Sequence, residues 1–215
     1  MSLRFAMIIC LALLATACKK DDDSDDSNDD TGSTTIDVSN AVGGLYFAAY
    51  LDGNAFSLLN GVDGYGNGTT QSGGGSVGDW EEIQGSIYGG LNSSVIAVVE
   101  ILKYNDQPTF LGSSDYAAMW QVGDYNYGSS EDDNNGVSVD GVIITYVDAD
   151  GVNWTTSKGT GDQSGSSFNI SAAVDATDGV SQKVATGTFS CKLYDGDGNE
   201  IVVTNGSFKG RAATF

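Results

Sequence analysis

Carboxylates are the most numerous side chains in this chain that could take part in catalysis. Its 215 residues include 29 Asp and Glu and no His. The lack of histidine excludes Ser-His-Asp and Cys-His catalysis and removes the commonest zinc ligand. A pair of carboxylates could still hydrolyse a glycan by acid–base chemistry, as in glycosidases. We therefore predict no catalytic residue and no enzyme, with a carboxylate-dependent glycan hydrolase as the alternative.

Two aspartate-rich turns have the composition of calcium loops. "DADGVN" begins at Asp148 and "DGDGNE" begins at Asp195. A calcium loop of the helix–loop–helix type needs glycine at its sixth place and a bidentate acid at its twelfth. Glu200 and Gly206 hold those places in the second turn, and Gly159 is twelfth in the first. We therefore predict hairpin turns at both, with no metal site and no cofactor; the alternative is adventitious calcium binding.

Aromatic residues cluster in the run "MWQVGDYNY", Met119–Tyr127. Aromatic rings beside Asp and Asn suit carbohydrate binding, because sugars stack on rings and bond to polar groups. The competing interpretation is core and hairpin packing by residues that favour strands. The candidate ligand-binding residues are Trp120, Tyr125 and Tyr127.

The N-terminus has the three parts of a secretory signal. Arg4 is followed by an apolar run, Phe5–Leu14, and then by small residues that precede Cys18. A membrane-spanning helix needs about 20 apolar residues, and this run is shorter. The segment resembles the bacterial lipobox, although Ala15 stands where that motif more often has leucine. The resemblance implies a signal peptide over residues 1–17 and a lipid on Cys18. The alternative is an ordinary secretory signal that contains a cysteine.

An acidic stretch follows the cysteine. Residues 19–40 hold eight Asp and two Lys and almost no apolar side chains, so we predict that residues 18–40 form a disordered tether. Fully stretched it would reach ~70 Å. Its start resembles the export signal of Bacteroidota surface lipoproteins, which implies the outer membrane, facing the cell exterior. The residues of this predicted export signal are Lys19, Lys20, Asp21, Asp22 and Asp23.

The body of the chain, residues 41–215, has the pattern of a single β domain. Glycine is frequent, proline occurs once, and short apolar runs alternate with turn residues. Asp52-Gly53 between two such runs predicts a hairpin. The run Ser94–Tyr104 is apolar at both alternations, which predicts a central strand covered on both faces. We predict an all-β fold, an antiparallel sandwich or barrel of about nine or ten strands.

Local patterns within this body give three further predictions. The run "SDYAAMWQV" predicts one short helix, with Ser114 or Asp115 as N-cap and Gly123 as the stop. The glycine-rich stretch Asn60–Asp79 predicts a long loop, either mobile or ligand-binding, and not a phosphate loop because it lacks lysine. The alternation in "SSFNISAAV" predicts one inward face, formed by Phe168, Ile170, Ala172 and Val174.

Cysteine usage and net charge limit the chemistry and the partners. If Cys10 leaves with the signal and Cys18 carries lipid, Cys191 is the remaining thiol, and we predict a buried small hydrophobe. The formal charge of −20 argues against a nucleic-acid partner, because phosphate binding needs a basic surface.

The later half of the chain is similar to small Bacteroidota lipoproteins with a β-sandwich-like body. The similarity lies in "ITYVDADGVNWTTSKGTGDQSGSSFNI" and "VATGTFSCKLYDGDGNEIVVTNGSFKG", and "AAYLDGNAF" matches the strand–Asp-Gly–strand unit that starts their domain. This resemblance implies a class and a location but no reaction. We predict a lipid-anchored outer-membrane lipoprotein with a non-enzymatic binding or structural β domain, or alternatively a carbohydrate-binding module. The expected partners are the membrane, through the lipid on Cys18, and a glycan or an envelope protein.

Overall fold

Strands make up most of the chain in the computed structural model, which describes residues 35–73, 80–88, 95–104, 118–130, 139–177 and 181–214. The predicted all-β fold is confirmed, and the described residues belong to one compact unit. The predicted signal peptide, Cys18 and the export signal Lys19–Asp23 lie outside the described residues. The strands are β1 Tyr46–Leu51, β2 Asn54–Leu59, β3 Gly66–Gly73, β4 Trp80–Tyr88, β5 Ile96–Tyr104, β6 Gly123–Asp124, β7 Gly141–Val147, β8 Asn153–Thr155, β9 Ser167–Asp175, β10 Ser181–Tyr194 and β11 Glu200–Thr214.

These strands form one antiparallel sheet in the described part of the chain. Nine of them follow each other in the order β2-β1-β11-β10-β8-β7-β5-β4-β3, and β9 pairs with both β10 and β6. Among the described strands, backbone pairing does not close the sheet. It curls until β3 meets β11, where Asn67 Oδ1 accepts a hydrogen bond from Arg211 N at 2.9 Å. This arrangement is consistent with a sandwich.

Two strand predictions are confirmed in detail. Asp52 and Gly53 join β1 to β2 and have φ angles of 48° and 79°. A two-residue hairpin turn whose twist matches that of the strands requires positive φ angles at both positions. Strand β5 lies between β4 and β7. Its residues Val98 and Val99, which point to opposite faces, are 7% and 4% exposed. Both alternations of this strand are therefore covered.

Phenylalanine rings fill the centre of the core. Phe168 and Phe208 stack with their ring centroids 5.5 Å apart. Phe189 and Phe208 each lie opposite a glycine on the neighbouring strand, Gly206 and Gly187. A Cβ atom at Gly187 would lie 2.6 Å from Phe208 Cε1, so only glycine leaves room for the ring.

The alternation predicted for β9 holds for its first half only. Phe168 and Ile170 are buried, but the register with β10 passes from Ile170 directly to Ala172. Ser171 is therefore an extra residue, a β-bulge that reverses the faces beyond it. Ala173 packs against the core and Val174 is 57% exposed, so the inward placement of Ala172 and Val174 was wrong.

The glycine-rich stretch Asn60–Asp79 is not one loop. Gly61, Asp63 and Gly64 have positive φ angles and make a tight turn, after which Gly66–Gly73 forms β3 and pairs in register with β4. Backbone pairing with β4 stabilises β3 as a strand, although its polar side chains do not predict one. Residues 74–79 lie outside the described part.

Helical structure is scarce among the described residues. A short 3₁₀ helix covers Val42–Gly44. Of the helix predicted over Ser114–Val122, the described residues include helical Ala118 and Met119, and the chain bends at Trp120. The helix ends at Met119, earlier than expected, and Gly123 belongs to β6.

Candidate functional site

An open groove of about 600 Å³ lies where β5 ends and β7 begins. Ile101, Leu102 and Met119 supply apolar surface. The polar lining residues come from β5, from the segment around β6 and from the residue before β7. We call this the β5–β7 groove, and the polar residues of its described lining are Lys103, Gln121, Asp124, Tyr125, Asn126 and Asp140.

Tyr125 braces the segment that carries most of this lining. Its hydroxyl accepts a hydrogen bond from Gln121 N at 2.9 Å and lies 2.8 Å from the carbonyl oxygen of Met119, to which it can donate. Burial raises the pKa of this phenol, so the hydroxyl keeps its proton. The ring also meets Phe168 edge-on, with centroids 6.1 Å apart. Tyr125 therefore fixes the segment around β6 to the core.

Two glycines let the segment cross β7 at close range. Val142 N donates to the carbonyl oxygen of Asn126, and Gly128 N donates to that of Val142, each at 2.9 Å. A Cβ atom at Gly141 would lie 2.5 Å from the Asn126 oxygen, and one at Gly128 would lie 2.5 Å from the Val139 oxygen. Glycine at both positions is what brings the two backbones together.

The described lining carries two exposed carboxylates and one exposed ammonium. Asp124 Oδ1 accepts a hydrogen bond from Asn169 Nδ2 at 2.8 Å, which orients this carboxylate from β9. Asp140 lines the groove next to the glycine crossing, and Lys103 lines it from β5. The arrangement can bind hydroxyl, amide and cationic groups.

Only Tyr125 of the three predicted aromatic residues lines the β5–β7 groove in the described part of the chain. Trp120 is 1% exposed and belongs to the core cluster. The expectation that its ring stacks on a ligand was wrong, because its large apolar surface is used in core packing. No described group accepts a hydrogen bond from its Nε1. The ring borders a small internal cavity of about 20 Å³ beside Asn67 and Arg211.

Tyr127 ties two strands together. Its hydroxyl lies 3.0 Å from the carbonyl oxygen of Ser190 and 3.1 Å from that of Ser167, so it can donate to either one at the end of the β9–β10 pairing. Burial raises the pKa of its phenol, and the ring packs edge-on against Phe168. These contacts are structural.

Cys191 is buried, as predicted. Burial raises the pKa of its thiol to about 12, which keeps the sulfur protonated and unreactive at neutral pH.

The aspartate-rich turns are hairpin turns, as predicted. Asp148 Oδ1 accepts hydrogen bonds from Asp150 N and Val152 N, and its Oδ2 accepts one from Trp154 Nε1 at 2.9 Å. Asp195 is bonded in the same way within its own turn. These bonds, the one from Trp154 foremost, lower the pKa of Asp148. In the described residues no three carboxylate or thiol side chains cluster as a metal site would require.

The sequence singled out one stretch of the groove, because Gln121, Asp124 and Asn126 lie in the aromatic run Met119–Tyr127. It did not single out Lys103 or Asp140, which come from separate segments that only the sheet topology joins to this run. One local signal existed for Asp140, because it adjoins a glycine at a strand end, Gly141. Long connections at strand ends often carry binding residues.

Comparison of the chain with protein-family models, curated proteins and solved structures found no match. Within the described part of the chain, no helix has the length and hydropathy needed to cross a membrane.

Proposed function

We propose that the chain is a lipid-anchored outer-membrane lipoprotein whose β domain is a non-enzymatic binding module, with the β5–β7 groove as its binding site. One observation carries the binding role: the groove of about 600 Å³ combines an apolar floor with a few converging polar groups, as ligand sites do. The signal-like start, Cys18 and the acidic stretch after it support the anchor, because two or more acyl chains hold a protein stably on a bilayer.

The groove also bears on the alternative of a glycan hydrolase. Asp124 and Asp140 both line it, and such enzymes use two carboxylates. The general acid of such a pair sits in an apolar pocket, whereas both of these side chains are exposed to solvent. The exposure of the pair favours binding over hydrolysis.

Metabolic labelling with a fatty acid tests the anchor. We expect Cys18→Ala to abolish the label and release the protein from membranes, because Cys18 is the residue on which the lipobox resemblance places the lipid. Cys10→Ala is the matched control and should keep both. A Cys18→Ala protein that remains labelled would refute the anchor.

Protease treatment of intact cells tests the surface location. We expect the domain to be digested, and replacement of Asp21, Asp22 and Asp23 by Ala to protect it, since those residues form the predicted export signal. Replacement of Asp29 and Asp30 removes charge from the same stretch and should leave digestion unchanged. Equal digestion of all three chains would contradict the export signal.

A screen of glycans and envelope proteins against the full-length chain in detergent tests the binding role. A ligand of the groove should lose affinity for Asp124→Asn and keep it for Asp197→Asn, an exposed acid in the turn between β10 and β11. A screen in which every ligand binds the two variants equally would refute the groove as the site.

A further inference from the structure

We propose that the occupant of the β5–β7 groove is a cationic peptide segment with aliphatic side chains, presented by another protein. This inference rests on the proposed binding function and specifies its ligand. Four features support it: the aliphatic residues in the groove and next to it along the chain, the inward position of two aromatic rings, the charge of the described lining, and the polar groups that can bond to a peptide backbone.

Aliphatic side chains line the groove and lie next to it along the chain. Ile101, Leu102 and Met119 belong to its lining. Val122 and Val139 are 65% and 45% exposed, and each is next in sequence to a lining residue, Gln121 and Asp140 respectively. Large exposed apolar side chains beside a concave polar surface are typical of protein–protein contacts. Their methyl groups suit the side chains of a peptide, because a sugar ring prefers the flat face of an aromatic residue.

Two of the three aromatic residues predicted to bind a ligand do not line the groove. Trp120 is buried in the core, and Tyr127 bonds to strand carbonyls. Tyr125 does line the groove, but its hydroxyl is occupied by the backbone at Met119 and Gln121. The described lining therefore favours a peptide over a glycan.

The charge of the groove selects a cationic peptide. Among the described lining residues, Asp124 and Asp140 outnumber Lys103, and the whole chain has a formal charge of −20. The same charge disfavours two other occupants, a second copy of this chain and its own acidic stretch over residues 19–40. Electrostatic complementarity of this kind sets partner choice and speeds association.

The remaining polar groups can bond to a peptide backbone. Gln121 and Asn126 are exposed, and each amide can donate and accept hydrogen bonds. Extended peptides commonly bind with backbone bonds for affinity and side-chain contacts for specificity.

Titration with defined probes tests this inference. The probes are three twelve-residue peptides, of alternating Lys and Val, Lys and Ser, and Glu and Val, and a neutral glucose oligomer. We expect the full-length chain in detergent to bind the Lys–Val peptide at least about tenfold more tightly than the others. Raising the salt from ~50 to ~200 mM should weaken this binding.

Matched variants separate the groove from the general acidity of the surface. The double variants Asp124→Asn/Asp140→Asn and Val122→Ser/Val139→Ser should each weaken the Lys–Val peptide about tenfold. Asp197→Asn and Val202→Ser, at exposed positions near the turn between β10 and β11, should change its affinity less than about twofold. Equal losses in groove and control variants would overturn the inference, since binding would then be non-specific.

A variant that is expected to gain affinity controls for misfolding. Lys103→Glu adds negative charge to the same groove and should tighten the Lys–Val peptide about threefold or more, which a damaged fold would not do. Unchanged or weaker binding by this variant would overturn the cationic occupant.

The outcomes also distinguish this inference from the proposed function. If the Glu–Val peptide or the glucose oligomer binds best, and Asp124→Asn/Asp140→Asn removes that binding, the cationic peptide is wrong and the binding groove stands. If no probe binds, the cationic peptide is again wrong. The proposed function then fails only if the screen of glycans and envelope proteins also finds no ligand that depends on the groove.

Discussion

Replacement of Gly141 by alanine should weaken the fold at the groove. Gly141 has a φ angle of +149°, which non-glycine residues rarely adopt. An added Cβ would lie 2.5 Å from both Asn126 O and Gly128 N. Both neighbours are backbone atoms held by the pairing with Val142, so neither can move without lengthening those hydrogen bonds.

The size of the effect follows from two contributions. Strain at a backbone angle of this kind costs about 1–3 kcal/mol, and forcing extra volume into a packed contact costs about 1–3 kcal/mol more. We therefore expect Gly141→Ala to lower the free energy of unfolding by about 4 kcal/mol. A domain of ordinary stability, about 5–15 kcal/mol, stays folded but is clearly weakened.

Gly151→Ala is the matched control. Gly151 also has a positive φ angle, +81°, but an added Cβ would meet no atom within 4 Å. It should cost only the strain, about 1–2 kcal/mol.

Urea unfolding of the full-length chain in detergent measures both variants, through the midpoint at a constant slope. If Gly141→Ala loses no more stability than Gly151→Ala, the close backbone crossing does not constrain the groove. Ligand binding can then be compared at a denaturant concentration where both variants are folded. If only Gly141→Ala loses binding at the groove, the backbone crossing also positions the lining residues.

Three further predictions follow from buried and bonded groups. Trp120→Phe should cost less than about 1.5 kcal/mol, because losing an unpaired buried N–H offsets part of the lost packing, whereas Trp120→Ala should cost about 3–5 kcal/mol; equal losses in urea unfolding would refute this. Asp148 has a lowered pKa, so its bonds stabilise the fold fully above its ordinary pKa and are lost as pH falls below it. The difference in Tm between wild type and Asp148→Asn should therefore shrink from pH 5 to pH 2, and a constant difference would contradict this. With a thiol pKa of about 12, Cys191 is ionised to about 10⁻⁴ at pH 8. Mass spectrometry should find its peptide unlabelled by a thiol reagent until the chain unfolds, and immediate labelling would rule out the buried thiol.

Features set by short-range chemistry could be predicted from the sequence. The Asp52-Gly53 turn needs only two residues that accept positive φ angles between apolar runs. The aspartate turns at Asp148 and Asp195 satisfy their carboxylates within a few residues. The apolar run around Val98 and Val99 is continuous because two faces must be covered, and that pattern is present in the sequence itself.

Features set by distant neighbours could not be predicted. Strand β3 has polar and glycine side chains, and its pairing with β4 supplies the structure that its composition opposes. The bulge at Ser171 depends on the register with β10. Trp120 suits a core as well as a ligand site, and only the assembled sheet decides between them. The β5–β7 groove joins Lys103 to Asp140 across 36 residues of chain that no local pattern connects.

The facing glycines and phenylalanines of β10 and β11 also constrain how this chain can change over generations. Gly187 faces Phe208, and Phe189 faces Gly206, so the large and small partners alternate between the strands. A larger residue at Gly206 collides with the ring of Phe189 unless that ring shrinks at the same time, and a smaller ring alone leaves a void. Phe189 and Gly206 are therefore inherited as one unit of fixed total volume. A Cβ atom at Gly187 would also collide with the backbone oxygen of Asn169, which no change at Phe208 relieves. In related chains we expect the positions of Phe189 and Gly206 to vary together and the position of Gly187 to remain glycine.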